Sequence, residues 1–173
     1  MEMTASLVEE IDRHFVEEQG IILIFGSLSL ANHLRTKATR VAVIDYPRAP
    51  DVLAQHRDGQ TILRAQPLQL PTADRSISGI VAVNILSRVS SPNLLMDSWS
   101  RSLRPGGKIV LVEREMQGFA LRTWQRLIDP SRFPLAPEHL TCLLLNAGFA
   151  GIGQAWPSSR LQTVVTSGWL KAL

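Results

Sequence analysis

The stretch LIFGSLSLANHL, residues 23–34, decides how the chain is read. An apolar run stops at Gly26, Ser27 and Ser29 follow, and helical spacing of apolar residues then begins. This is the handover from strand to helix found in nucleotide-binding α/β domains, where N–H groups at the helix start face the ligand. Such turns carry several glycines. Here Leu28 and Leu30 stand where glycine would let a ligand approach the backbone closely.

Outward from this turn the chain alternates strands and helices. Leu7, Ile11 and Phe15 share one face of an N-terminal helix, with Ser6 and Glu9 placed to form a capping box. GIILIF (20–25) is a strand buried on both faces, and 27–38 a helix with Leu30, Ala31, Leu34 and Ala38 inward. RVAVID (40–45) is the second strand, APDVLAQH (49–56) a short helix with Pro50 in its first turn, and TILRA (61–65) the third strand. ISGIVAVNIL (77–86) and KIVLVER (108–114) give two more, separated by a helix over 92–103 that RPGG breaks. Residues 118–129 and 137–147 read as helices, and AGIGQAW and LQTVVTSGWL as strands joined by the turn PSSR (157–160). Alternating strands and helices require right-handed crossovers and a parallel sheet covered on both faces, and a four-residue turn makes the last strand pair antiparallel.

The expected fold is therefore α/β, a doubly wound, mostly parallel seven-stranded sheet of Rossmann-like type ending in an antiparallel hairpin. One domain spans 1–173: an N-terminal helix (1–19), a βα half (20–114), and covering helices with the terminal hairpin (115–173). A 173-residue chain that is 45% apolar and 19% charged suits such a core. Cys142 is the single cysteine, which excludes an internal disulfide and a multi-cysteine metal site and fits a reducing, cytoplasmic setting. The acidic N-terminus, MEMTASLVEE, lacks the basic and apolar segments of a signal peptide. The longest apolar run, IILIF, falls far short of the ~20 residues that cross a bilayer, so no membrane span is expected. The net charge of +3 comes from scattered basic residues, which argues against a dedicated nucleic-acid role.

Ligands in doubly wound sheets bind beyond the carboxyl ends of the strands, where strand order reverses. Nineteen residues past Gly26, Asp45 closes the second strand, at the distance where a carboxylate accepts two hydrogen bonds from a ribose diol. The alternative for an Asp in Asp-Tyr-Pro is a plain turn residue. Asn84, at the end of the fourth strand, is placed to face a ligand. Glu113 and Arg114 end the fifth strand, either reaching the cleft or forming a solvated pair. His14, His33, His56 and His139 are spread over separate elements and read as surface or packing groups.

The order of elements and two local phrases resemble the class I S-adenosylmethionine-dependent methyltransferases, nearest to the small-molecule, ubiquinone/menaquinone-biosynthesis type. LQLPTADRSISGIVAVNILSRVSSPNLLMDSWSRSLRPGGKIVLVERE (68–115) carries the likeness, with Leu103-Arg104-Pro105-Gly106-Gly107 matching the family phrase directly. LAPEHLTCLLLNAGF (135–149) is similar to its late Thr-Pro-Glu-Glu-Leu…Ala-Gly-Phe segment. The resemblance covers 20–171 and implies S-adenosylmethionine as cofactor and no metal. It places Gly26, Ser27, Ser29, Asp45, Gln66, Leu68 and Asn84 around that cofactor. Aligned on Gly26, the family's acidic residue falls at Ile24, and its second and third glycines at Leu28 and Leu30. Asp45 keeps the ribose position, and Gln66 replaces the acid near adenine, with a carbonyl that still accepts a hydrogen bond. Ser87 and Arg88 stand in place of the His-His that often follows the fourth strand, and no residue is singled out as catalytic.

These substitutions predict that two leucines crowd the methionine end of the cofactor. The leading expectation is a methyltransferase-fold protein with an impaired cofactor site, acting as an accessory, regulatory or small-molecule-binding domain. The alternative is an active methyltransferase on a small acceptor. A third reading is an interaction protein using Arg101, Arg104, Lys108, Arg122, Arg126 and Arg132. Residues 115–137, with Trp124 and Phe133, are apolar enough to cap a cleft, to bind a protein partner or to form a homodimer.

Overall fold

The computed structural model describes residues 4–15, 20–26, 28–34, 40–44, 54–57, 60–63, 66–114, 136–158 and 163–172. Four helices lie among them: α1 Ala5–His14, α2 Leu28–Leu34, α3 Pro92–Ser102 and α4 Pro137–Asn146. The strands are β1 Ile21–Phe25, β2 Arg40–Ile44, β3 Ala54–Arg57, β4 Gln60–Leu63, β5 Ile77–Val83, β6 Leu103–Arg114, β7 Phe149–Ser158 and β8 Thr163–Leu170. They form one sheet in the order β3-β4-β2-β1-β5-β6-β8-β7. From β1 the chain steps outward through β2 to β4, then returns to place β5 on the other side of β1. Strand order therefore reverses between β1 and β5. The pairs β1/β2, β1/β5, β2/β4 and β5/β6 are parallel, while β8 pairs antiparallel with both β6 and β7. The fold is the expected α/β, mostly parallel and doubly wound, with an antiparallel terminal hairpin.

Each of the seven expected strand segments carries a strand, and an eighth comes from an unexpected place. Of the helix expected over 49–56, residues 49–53 lie outside the described residues, and Ala54–Arg57 is instead an edge strand pairing antiparallel with β4, from Ala54 opposite Leu63 to Arg57 opposite Gln60. Asp58-Gly59 separates the two strands, and that dipeptide is the strongest short hairpin signal.

The period-two alternation of the central strands sorts their side chains onto two faces. Leu23, Phe25, Ile80, Ala82, Ile109 and Leu111 face Leu95, Met96 and Trp99 of α3 and Leu140 and Leu144 of α4. Ile22, Ile24, Val81, Val83, Val110 and Val112 face Leu7, Ile11 and Phe15 at α1 and Leu30, Ala31 and Leu34 of α2. The expected inward stripes of α1, α2 and α3 are thus buried; Ala38 lies outside the described residues, as do 118–129.

Details at the helix ends differ from the sequence reading. The cap of α1 is Thr4, whose hydroxyl accepts the Leu7 N–H at 3.4 Å, rather than Ser6. Ser6 lies inside the helix and donates to the Pro157 carbonyl at 2.7 Å, tying α1 to β7. Arg104-Pro105-Gly106-Gly107 stops α3 as expected, but the segment enters β6 through an irregular register, between the pairs Ile77–Leu103 and Gly79–Lys108. Among the described residues, no helix is long and apolar enough to cross a membrane.

Trp99 joins three elements. Its ring stacks on Phe25 with centroids 4.7 Å apart, and its indole N–H donates to the Pro67 carbonyl at 2.9 Å. Trp99→Phe keeps a ring against Phe25 but leaves that carbonyl without its buried donor. Urea unfolding should report a loss of about 1–3 kcal/mol. Trp169→Phe, at a position that is 49% exposed, should change stability by no more than about 0.5 kcal/mol.

Candidate functional site

Register fixes where the sheet's carboxyl edge lies. Leu63, Ile44, Phe25, Ala82 and Leu111 form one row across β4, β2, β1, β5 and β6. Because these strands are parallel, the residues just beyond the row share one edge, and the reversal between β1 and β5 opens a crevice there. Gly26 and Asn84 flank it.

Gly26 is required by backbone geometry. Its φ is +84°, and a Cβ on it would lie 2.6 Å from the Val83 carbonyl oxygen. Any side chain would therefore drive β1 away from β5. Asn84 sits opposite with φ +52°, a left-handed conformation that Asn tolerates better than most residues. Its N–H donates to the Val112 carbonyl at 2.8 Å, so the ladder with β6 extends one residue past β5. Ser29 lies on α2, just beyond Gly26. Ser27 and Asp45 lie outside the described residues.

Gln66 and Leu68 occupy a turn closed by the Gln69 N–H on the Gln66 carbonyl at 2.9 Å. The turn is tethered to α3 at two points: Trp99 donates to the Pro67 carbonyl, and the Ser98 hydroxyl donates to the Leu68 carbonyl at 3.1 Å. Both side chains are exposed, Leu68 at 37%.

Of the two leucines expected to crowd the cofactor, Leu30 is described, while the side chain of Leu28 lies outside the described residues. Leu30 is 1% exposed and packs among Ile22, Ile24, Val81 and Val83, against α1 rather than in the crevice. Spacing of four along α2 places Leu30 and Leu34 on one face, so the helix turns Leu30 inward. Ile24 is wholly buried in the same cluster.

Glu113 is a group whose importance the sequence did not rank. Strand alternation puts it on the face of Ile109 and Leu111, at the carboxyl edge beside Asn84. It is 2% exposed, and its Oε1 accepts the Leu86 N–H at 2.8 Å at the start of the turn Leu86–Arg88. Burial raises its pKa to about 7, against the opposing effect of hydrogen bonds from Leu86, Ser87 and Ile85. Arg114 is exposed, so Glu113 belongs to the interior of the site rather than to a solvated pair. The histidines stay apart: His33 pairs with Asp12 at 2.8 Å, tying α2 to α1. Among the described residues, no three His, Cys, Asp or Glu side chains cluster closely enough to hold a metal.

Residues 25–111, from the last residue of β1 into β6, match the family model described as methyltransferase domain. The chain belongs to the methyltransferase-domain family. No curated protein matches it in sequence. Solved structures share its fold, that of the class I S-adenosylmethionine-dependent methyltransferases. One is a chain of the Haloferax volcanii complex between the Trm112 methyltransferase activator and a protein described as a methyltransferase. It has 16% identity and a TM-score of 0.72, over 97% of this chain and 95% of that one. A second is Haemonchus contortus phosphoethanolamine N-methyltransferase 2 in complex with S-adenosyl-L-methionine, with 10% identity and a TM-score of 0.74, over 97% and 53%. A third is an S-adenosylmethionine-dependent methyltransferase from Archaeoglobus fulgidus, with 11% identity and a TM-score of 0.71, over 94% and 90%. At these identities the likeness is one of fold.

Glu113 gives this methyltransferase-domain protein a pH signature. Its folded pKa of about 7 exceeds the ordinary 4.5. Between those values the folded state holds a proton that the unfolded chain releases, so this contribution is full below pH 4.5 and lost as pH rises through 7. The loss amounts to about 3 kcal/mol. Burial lowers the pKa of His14, whose contribution to pH-dependent stability has the opposite sign. The difference between wild type and Glu113→Gln therefore isolates the effect. In urea unfolding across about pH 4 to 8, the wild type should lose stability relative to the variant as pH rises; parallel curves would refute the assignment.

Proposed function

We propose that this methyltransferase-domain protein has an impaired S-adenosylmethionine site and acts as a non-catalytic accessory, regulatory or small-molecule-binding domain. The observation that carries the reading is Ile24. It occupies the family's acidic position and is sealed in an apolar cluster, so the methionine end of the crevice lacks the acid that would anchor an amino group. Among the described residues of the carboxyl edge, the carboxylate on offer is Glu113, and the Leu86 N–H already engages it. On this reading the described side chains of Ile24 and Leu30 offer the methionine half of the cofactor no polar contact. The adenosine half retains Asp45 by sequence and the turn bearing Gln66 and Leu68, which supports binding of a smaller nucleoside-like or other flat ligand. Residues 115–137 supply the contact to a protein partner or second copy, a role in keeping with the activator-bound state of the Haloferax neighbour. The lone, exposed Cys142 thiol accords with a reducing, cytoplasmic location.

Calorimetric titration with S-adenosylmethionine and S-adenosylhomocysteine tests the reading. The expected dissociation constants are weaker than about 100 μM. A value of about 1 μM or tighter would overturn it.

One observation favours an active methyltransferase on a small-molecule acceptor instead. Leu30 packs in the core, so one of the two leucines is removed as an obstacle to the N–H groups at the start of α2. On that reading Asp45 holds the ribose diol, and Asp45→Ala should weaken cofactor binding by about tenfold or more, the worth of a charged hydrogen bond. Equal affinities for wild type and variant would dismiss it.

A further inference from the structure

A groove of about 340 Å³ opens at the amino edge of the sheet, the opposite end from Gly26 and Asn84. Its floor is apolar: Leu103 and Pro105 at the start of β6 and Leu170 at the end of β8. Three cations rim it. Arg75 precedes β5, Arg101 ends α3, and Lys171 follows β8; Asp74 is the one acidic residue in the lining. None of the three forms an ion pair among the described residues. The backbone holds them in place: the Arg75 N–H donates to the Arg101 carbonyl at 2.9 Å, and the Lys171 N–H to the Gly148 carbonyl at 3.2 Å.

Arg75 also adopts φ +56°, a left-handed conformation that an unbranched cationic side chain rarely takes. Glycine or asparagine would sit there at lower cost, so packing does not account for an arginine. Backbone strain of this kind gathers at ligand sites, where the side chain that it aims serves a purpose. Cations on an apolar floor, in a concavity of this size, match an organic anion rather than a neutral or cationic molecule. Two guanidinium groups grip a planar or tetrahedral oxyanion through paired N–H donors, while the floor takes the carbon body.

We propose that this groove is a second ligand site, for a small organic anion with a phosphate or carboxylate head and a short apolar body. It stands independently of whether the carboxyl-edge crevice binds S-adenosylmethionine.

The test is a titration of the ¹⁵N-labelled full chain with phenyl phosphate, benzoate, inorganic phosphate and phenol, read by amide chemical shifts. Phenyl phosphate or benzoate should saturate shifts confined to residues 74–76, 101–106, 147–148 and 170–171. Either should bind more tightly than inorganic phosphate or phenol, and the ratio of the two identifies the head group. Arg75→Gly should weaken that binding about tenfold or more, with an unchanged or higher Tm because glycine accepts the left-handed backbone. Arg101→Gln, which leaves the backbone of 75 alone, should weaken it likewise. Three outcomes would overturn the proposal: phenol binding as well as the anions, full affinity in both variants, or the same amides saturating with an oligoglutamate peptide but not with phenyl phosphate. The last would make the groove a protein-docking surface.

Discussion

The stack of Trp99 on Phe25, with the indole N–H on the Pro67 carbonyl, is the contact on which the carboxyl edge depends. Phe25 is the last residue of β1 and sits in one row with Ile44 and Leu63, the last residues of β2 and β4. Trp99 belongs to α3, and Pro67 to the turn that carries Gln66 and Leu68. One side chain thus holds a strand end, a covering helix and a site-bearing turn in a single body. An aromatic pair adds about 0.5–1.5 kcal/mol beyond its buried area, and the indole donor satisfies a carbonyl that burial would otherwise leave unpaired. The segment 66–76 has further ties to the same helix: the Ser98 hydroxyl donates to the Leu68 carbonyl, and the Arg75 and Ser76 N–H groups donate to the Arg101 and Ser102 carbonyls.

The two edges of the sheet differ in chemistry because the sheet is parallel at its centre. At the carboxyl edge the backbone supplies the special features: Gly26 pressed against the Val83 carbonyl, Asn84 in a left-handed conformation, and Glu113 gathering the N–H groups of the turn that follows. A carboxylate in that position satisfies donors that no helix would otherwise take up. At the amino edge the special features are side chains, three cations around an apolar floor. The antiparallel β8 makes this second arrangement, since its carboxyl end delivers Leu170 and Lys171 to the amino ends of β5 and β6. A wholly parallel sheet would have sent them to the other edge.

Much of this was legible in the sequence, for definite reasons. Continuous apolar strands at 20–25, 77–86 and 108–114 announce a sheet covered on both faces, and the stripe Leu95, Trp99, Leu103 announces the helix that covers it. Gly26 stands out in the sequence because an apolar run stops there and helical spacing follows. Residues 49–56 misled because Pro50 and an apolar spacing outweighed Asp58-Gly59, two residues beyond the segment under consideration. Thr4 and Ser6 are both good caps, and a difference of two residues lies within what local chemistry can resolve. Glu113 and the amino-edge groove were hidden for another reason. The first depends on which face of β6 meets the turn at Leu86, and the second on four segments that meet only in the folded chain.

On the proposed reading, the leucine at position 30 shows how the cofactor signature and the fold come apart. A glycine in that helical position would cost about 1 kcal/mol relative to a good helix former. A buried leucine side chain contributes about 1.5–3 kcal/mol more. Leu30 gains both terms, because it closes the cluster between α1, α2 and the sheet. Ile24 follows the same logic: in a wholly apolar cluster a carboxylate would have to be desolvated without a partner. Both substitutions are therefore the ones that packing alone favours, and each is opposed only by a ligand that needs an acid or a bare backbone at that place. The strand-to-helix turn at Gly26 keeps its glycine for a reason no ligand sets, the 2.6 Å approach to Val83. What survives of the signature in the described turn is the part that the sheet itself enforces.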